Sequence, residues 1–184
     1  MVGGLAAFGQ DYKRTSARIV RTNGRMFRVR SATRDDAVSL IAVWRETWPA
    51  TYTATLGARA VEVMLDDLDR HGTASLLPEI GAKGLCLLDG NEVVGTAIHS
   101  VGRSVVYLWG MYVMPRYQRS GAGTLLYRSV QEAARGQPVE VRVVRSSNQA
   151  VNFYRKLEFQ TVGEEATEIM PHVQAVCLTM RHPA

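Results

Sequence analysis

Between Met114 and Val130 the chain leaves an apolar run, Val105–Val113, and turns through glycines into a helix-forming stretch: Met-Pro-Arg-Tyr-Gln-Arg-Ser-Gly-Ala-Gly-Thr-Leu-Leu-Tyr-Arg-Ser-Val. Such a turn leaves the first helical N–H groups without acceptors and adds the positive end of the helix dipole. That combination binds anions. Gly121 and Gly123 let the main chain approach a bulky phosphate with no Cβ in the way. Two familiar phosphate loops are excluded. The dinucleotide fingerprint needs a third glycine where Leu126 stands, and the P-loop needs a lysine where Thr124 follows Gly123. What remains is Gln/Arg-x-x-Gly-x-Gly/Ala, matched by Gln118-Arg119-Ser120-Gly121-Ala122-Gly123.

A second segment, Ser147-Asn148-Gln149-Ala150-Val151-Asn152-Phe153-Tyr154-Arg155-Lys156-Leu157-Glu158-Phe159, follows after a helix, a strand at Val139–Val144 and a short turn. Together the two segments resemble the signatures of the GNAT superfamily of N-acyltransferases, over roughly residues 26 to 182. The resemblance implies acetyl-coenzyme A as co-substrate, with no metal. It implies that Gln118, Arg119, Ser120, Gly121, Ala122, Gly123 and Thr124 hold the pyrophosphate. The backbone of Met111, Tyr112 and Val113 would pair with the pantetheine arm, where a strand splays from its neighbour. Asn148 would contact that arm, or cap its own helix. Tyr154 corresponds to the tyrosine that protonates the departing thiolate, a role open to a phenol because it keeps its proton at neutral pH. Glu158 stands where the family has glycine, and a left-handed helix end is costlier for glutamate.

The order of elements points to an α/β fold in one domain. A strand at Phe27–Arg30 leads to a capping box, Thr33 to Asp36, and a helix with the apolar stripe Val38, Leu40, Ile41 and Trp44. Pro49 is expected to stop that helix near Trp48. A second helix covers Ala58–Leu68. The runs Leu85–Leu88 and Val93–His99 form a hairpin turned by Asp89-Gly90-Asn91. Strands follow at Val105–Val113, Val139–Val144, Phe159–Glu164 and Ala175–Met180, with helices after the glycine loop and at Asn148–Leu157. The result is a mixed α+β arrangement. It has a mostly antiparallel twisted sheet, helices on both faces, and a splay between the fourth and fifth strands. Gly110 marks either a bulge that opens this splay or a twist within a packed strand.

One part of the chemistry is missing. Many relatives place a basic glutamate where this chain has Tyr107, and no Asp or Glu occurs between Val93 and Gln131. An alkylamine of pKa about 10.4 is neutral in roughly one part in a few thousand at pH 7, whereas an α-amine near 8 is neutral in about one in ten. The first kind of acceptor needs a proton acceptor. Candidates are His99, Glu46 and, as a water anchor, Tyr107; His99 and Glu46 also read as ordinary packing and surface residues. Trp48 and Tyr52, beside Pro49, are candidates for an acceptor pocket.

The formal charge of +5 is concentrated at the start. Residues 1–30 hold seven basic side chains against Asp11, a net of +6, which leaves −1 for the rest. The folded part therefore offers no general basic surface for nucleic acid. Residues 1–25 read as a disordered basic arm, or as an early start with Met26 the working one, and residues 26–184 as the catalytic domain. No apolar run approaches a membrane span. Cys86 and Cys177 lie in apolar runs and are expected as free thiols, which favours a reducing cytoplasm. The activity expected is acetyl transfer to a primary amine of a small molecule or peptide, by a monomer or a homodimer. The other reading is a non-catalytic sensor or accessory domain that binds acyl-coenzyme A.

Overall fold

In the computed structural model, residues 18–22, 24–75 and 81–184 are described. The chain runs β1 (Arg18–Thr22), β2 (Arg25–Ser31), α1 (Ala37–Leu56), α2 (Ala58–His71), β3 (Lys83–Asp89), β4 (Glu92–Val101), β5 (Val106–Val113), α3 (Ala122–Ala134), β6 (Val139–Val144), α4 (Asn148–Lys156), β7 (Gln160–Met170) and β8 (Val173–His182). The eight strands form one sheet in the order β1-β2-β3-β4-β5-β6-β8-β7. Every neighbouring pair is antiparallel except β5 and β6. The expected mixed sheet is therefore present. Among the described residues no helix is long and apolar enough to cross a membrane.

Neighbouring rungs of the sheet show why helices lie on both faces. Thr96 pairs with Tyr112, whose ring meets Trp48 of α1 edge-on. One rung on, Gly95 pairs with Val113, and a Cβ on Gly95 would come within 3.4 Å of Leu126 in α3. Side chains alternate along a strand, so α1 and α3 must lie on opposite sides.

Four sequence expectations are corrected here. The strand Arg18–Thr22 pairs with β2, so five residues of the segment assigned to the arm belong to the sheet; residues 1–17 lie outside the described residues. Helix α1 does not stop at Pro49 but runs to Leu56. A proline inside a helix costs about 3 kcal/mol. Trp44 and Trp48 are both fully buried and stacked with ring centroids 6.4 Å apart, and truncating such residues typically costs 3–5 kcal/mol each, so packing wins. The buried stripe of α1 is Leu40, Val43, Trp44, Thr47 and Trp48, whereas Val38 is 79% exposed. The strand predicted over Phe159–Glu164 is longer, reaching Met170 in a hairpin with β8. The capping box holds: the Thr33 N–H donates to Asp36 at 2.7 Å, and Arg30 grips the same carboxylate with two bonds of 2.7 Å. Arg30 in the first place, then Thr33, holds the Asp36 pKa down at about 2.

Two features of the fold have measurable consequences. Glu158 takes the left-handed conformation, φ 66°, at the end of α4, with Phe159 N–H donating to the Tyr154 carbonyl and Glu158 N–H to that of Arg155. This helix-end motif favours glycine, so Glu158→Gly is expected to raise stability by about 0.5–1 kcal/mol. A thermal midpoint that stays level or falls would remove the strain argument. His99 on β4 is fully buried, and neither ring nitrogen has a partner among the described residues. Burial, with a smaller contribution from Lys83, pushes its pKa down from 6.5 to about 4. The unfolded chain takes this proton first. The contribution of a neutral His99 is thus complete above about pH 6.5 and shrinks as pH falls towards 4, by about 3 kcal/mol at the limit. Urea unfolding between pH 7 and 4.5 should show a shallower decline for His99→Leu than for the wild type; parallel curves would contradict this.

Candidate active site

Strands β5 and β6 pair over only three rungs, Val106 with Val139, Tyr107 with Glu140 and Leu108 with Val141. Beyond that they part. On its other edge β5 stays paired with β4 as far as Val113, and β6 stays paired with β8 as far as Val144. The inner edges of residues 109–113 and 142–144 are thereby left without each other, a gap able to accept a strand-like ligand by backbone hydrogen bonds. The parting coincides with a bulge. Ile98 faces Gly110 while His99 faces Leu108, which leaves Trp109 as the extra residue. A bulge breaks the ladder and sharpens the local twist. Gly110 is needed beside it, because a Cβ there would lie 2.9 Å from the Tyr112 ring.

The glycine loop follows directly from β5. Gln118 donates from Nε2 to the Val113 carbonyl at 2.9 Å, and Gln149 donates to Gln118 Oε1 at 3.0 Å. Gln118 thus secures the loop to the strand end. Arg119 and Gly121 both take left-handed conformations, φ 57° and 87°. Gly121 caps α3 without a side chain, and the first turn holds no acid. The N–H groups of Ala122, Gly123 and Thr124 therefore lie at an uncapped, unopposed helix start, as an anion site requires. Gly123 also serves packing: a Cβ there would meet the Phe153 ring of α4 at 3.1 Å. Asn148 is exposed as the first residue of α4 while Ser147 occupies the cap position, so its side chain is open to a ligand.

Three phenols on three elements act on one another electrostatically. Tyr52 of α1 and Tyr112 of β5 place their hydroxyls 3.3 Å apart. Tyr154 of α4 is 6% exposed and packs edge-on against Phe159 and Phe153. Burial, then the Tyr112 hydroxyl, raises the Tyr154 pKa above that of a free phenol. Burial likewise raises Tyr52, with Tyr112 and Tyr154 adding to it. All three stay protonated at neutral pH. Trp48 is fully buried behind Tyr112, so it backs the gap and does not line it.

On the α1 side of the sheet, where the strands divide, Tyr107 is half-buried, its ring 4.6 Å from that of Trp109. Trp109 Nε1 donates to Ser100 Oγ at 3.0 Å. Glu140, the rung partner of Tyr107, accepts from Arg181 Nε and Nη2 at 3.1 and 2.6 Å, both on Oε2. Arg142 pairs with Glu165 at 2.7 Å. A cavity of about 300 Å³ opens near the far end of β6, lined by Thr55, Leu56, Val144, Ser146, Gln174 and Val176 among others. Cys86 and Cys177 are free and buried.

Neither candidate base is brought to the gap. His99 is sealed in the core, on the face turned away from Tyr112. Glu46 lies on the surface, where Arg116 Nη1 donates to both of its carboxylate oxygens at 2.9 Å and also holds Glu92 through Nη2. The sequence pattern also did not disclose the Tyr112 side chain, named only for its backbone, or Glu140, which lies on the neighbouring strand. Both follow from register, which no local pattern reports.

Comparison with known proteins agrees with this fold. A crystal structure of the PaiA N-acetyltransferase from Thermoplasma acidophilum in complex with coenzyme A is 19% identical, covers 86% of this chain and 99% of its own, and superposes with a TM-score of 0.70. A GCN5-related N-acetyltransferase from Rhodopseudomonas palustris, also 19% identical, gives 0.71 over 85% of this chain and 94% of its own. The ribosomal-protein-S18-alanine N-acetyltransferase of Escherichia coli, 16% identical, gives 0.61 over 86% and 94%. At these identities the likeness speaks for the fold. A search of curated protein sequences returns no match. The model of the acetyltransferase (GNAT) family, however, matches residues 40–159, well over half of the chain, and this protein belongs to that family.

Proposed function

We propose that the protein transfers an acetyl group from acetyl-coenzyme A to a primary amine, carried by a small molecule or a peptide. The observation that carries this reading is the gap between β5 and β6, beside the uncapped start of α3 and with α4, the helix of Tyr154, packed on β6. In this reading the amides of the Arg119–Thr124 segment take the pyrophosphate. The backbone of Met111, Tyr112 and Val113 pairs with the pantetheine arm, and one of its N–H groups polarises the thioester carbonyl. A fixed dipole aimed at developing negative charge is an effective source of rate.

Tyr154 then gives its proton to the departing thiolate. Its raised pKa does not prevent this, since burial penalises the thiolate in the same way and raises its demand for the proton. Asn148 assists at the arm. Tyr52, with Tyr107 holding a water, borders the acceptor. The structural relatives named above include one solved with coenzyme A and one named for acetylating a ribosomal-protein alanine, which supports an amine as acceptor. The free, buried thiols suit a reducing cytoplasm.

Two variants test these roles. Tyr154→Phe should lower turnover at least tenfold and leave acetyl-coenzyme A affinity little changed; unaltered turnover would end the acid role. Gly123→Glu sets a carboxylate at the anion site and pushes on Phe153, so calorimetry should record at least a hundredfold weaker coenzyme binding. Normal binding by that variant would remove the loop assignment. Wild-type protein that binds the coenzyme but releases no thiol with any amine would instead favour the accessory-domain reading.

A further inference from the structure

We infer that Glu140 accepts the proton of the attacking amine, through a water held at Tyr107. The inference rests on the transferase reading above. Its physical starting point is the protonation state of the acceptor: an alkylamine is almost wholly protonated at neutral pH and has no lone pair until a base removes a proton. His99 and Glu46 are not available for this. Among the carboxylates on the α1 side of the sheet, Glu140 alone lies on a strand that forms the gap. Glu165 stands on β7, beyond β8, and is committed to Arg142.

The register places Glu140 beside Tyr107 on the second of the three rungs that join β5 to β6. Facing residues of paired strands project from the same side, so both side chains project on the side of Tyr52 and Tyr112. The first separated residues lie two rungs away, about 7 Å, a span suited to a water and not to direct contact. The Glu140 side chain is 16% exposed, which fixes its position without closing it off. Both Arg181 bonds fall on Oε2, and Oε1 has no partner among the described residues. The guanidinium therefore anchors one oxygen and leaves the other to accept. Charged or titratable groups facing this corner are Tyr107 of β5, Arg142 of β6, and Arg181 and the Cys177 thiol of β8, with Glu165 of β7 beyond.

The proton balance closes. The ammonium nitrogen gives one proton through the water to Glu140 Oε1, which returns it to solvent. The freed lone pair forms the C–N bond at the thioester carbonyl, and the C–S bond breaks as Tyr154 protonates sulfur. The nitrogen then sheds its second proton, which restores the Tyr154 phenol through water.

The test compares two acceptors on the full chain: an alkylamine of pKa about 10 and an α-amine of pKa about 8. With Glu140→Gln, kcat/KM for the alkylamine should fall about a hundredfold at pH 7, and the deficit should shrink as pH approaches 10. The α-amine should lose less than tenfold, and coenzyme affinity should hold. Glu165→Gln, which removes the other carboxylate facing this corner and keeps Glu140, should stay within about threefold of wild type. Equal, pH-independent losses on both amines, a loss matched by Glu165→Gln, or no loss at all would each overturn the inference while the transferase reading stands. Should the Glu140→Gln variant not fold, Glu140→Asp carries the test: it should keep the wild-type pH profile, and a deficit that shrinks with pH would overturn the role. Wild-type protein inactive on every amine overturns both readings together.

Discussion

The structure depends on a hydrogen-bonded ladder that stops early. Strands β5 and β6 share three rungs, yet each stays held along its outer edge, β5 with a bulge at Trp109. Parting two strands inside a sheet exposes backbone donors and acceptors that normally pair, and leaving such groups buried and unmet is costly. The gap is affordable only because both strands are held from outside and because a ligand backbone can satisfy the inner edges. The bulge at Trp109 supplies the change of direction, and Gly110 leaves the room that Tyr112 occupies. Strand separation, aromatic packing and ligand access are thus one arrangement.

The loop is held to this arrangement from two sides. Gln118 bonds the end of β5, while Arg116 ties the turn before the loop to Glu46 of α1 and Glu92 of β4. Exposed ion pairs contribute little to overall stability, typically under 1 kcal/mol each. Here their effect is positional, since the turn at Pro115–Tyr117 sets where the α3 amides point. Tyr117 adds a hydrogen bond to Glu92 and a face to the Arg116 guanidinium, 5.0 Å from its ring centroid. Glu46, proposed from sequence as a base, belongs to this scaffold.

Much of the fold was legible because its signals are local. The Asp89-Gly90-Asn91 turn, the Thr33–Asp36 box and the glycine start of α3 are each decided within a few residues. The splay was anticipated through a resemblance, and Gly110 through the rarity of glycine inside a strand. The errors share a cause as well. Pro49 was read as a breaker because propensity is local, whereas two buried tryptophans that meet Tyr112 and the core decide the matter from a distance. Val38 fits an apolar stripe by spacing, yet α1 presents another face to the sheet.

The sequence by itself determined the phosphate-type loop, the candidate acid at Tyr154, the family and the alternation of strands and helices. These are written in residue types at short spacings, where backbone conformation answers directly to the side chains present. Only the tertiary structure decided that His99 is sealed, that Tyr52 and Tyr112 touch, and that Glu140 stands beside Tyr107. Those facts come from register and from which face a strand turns to a helix. A slip of one residue reverses every such contact while leaving local patterns unchanged.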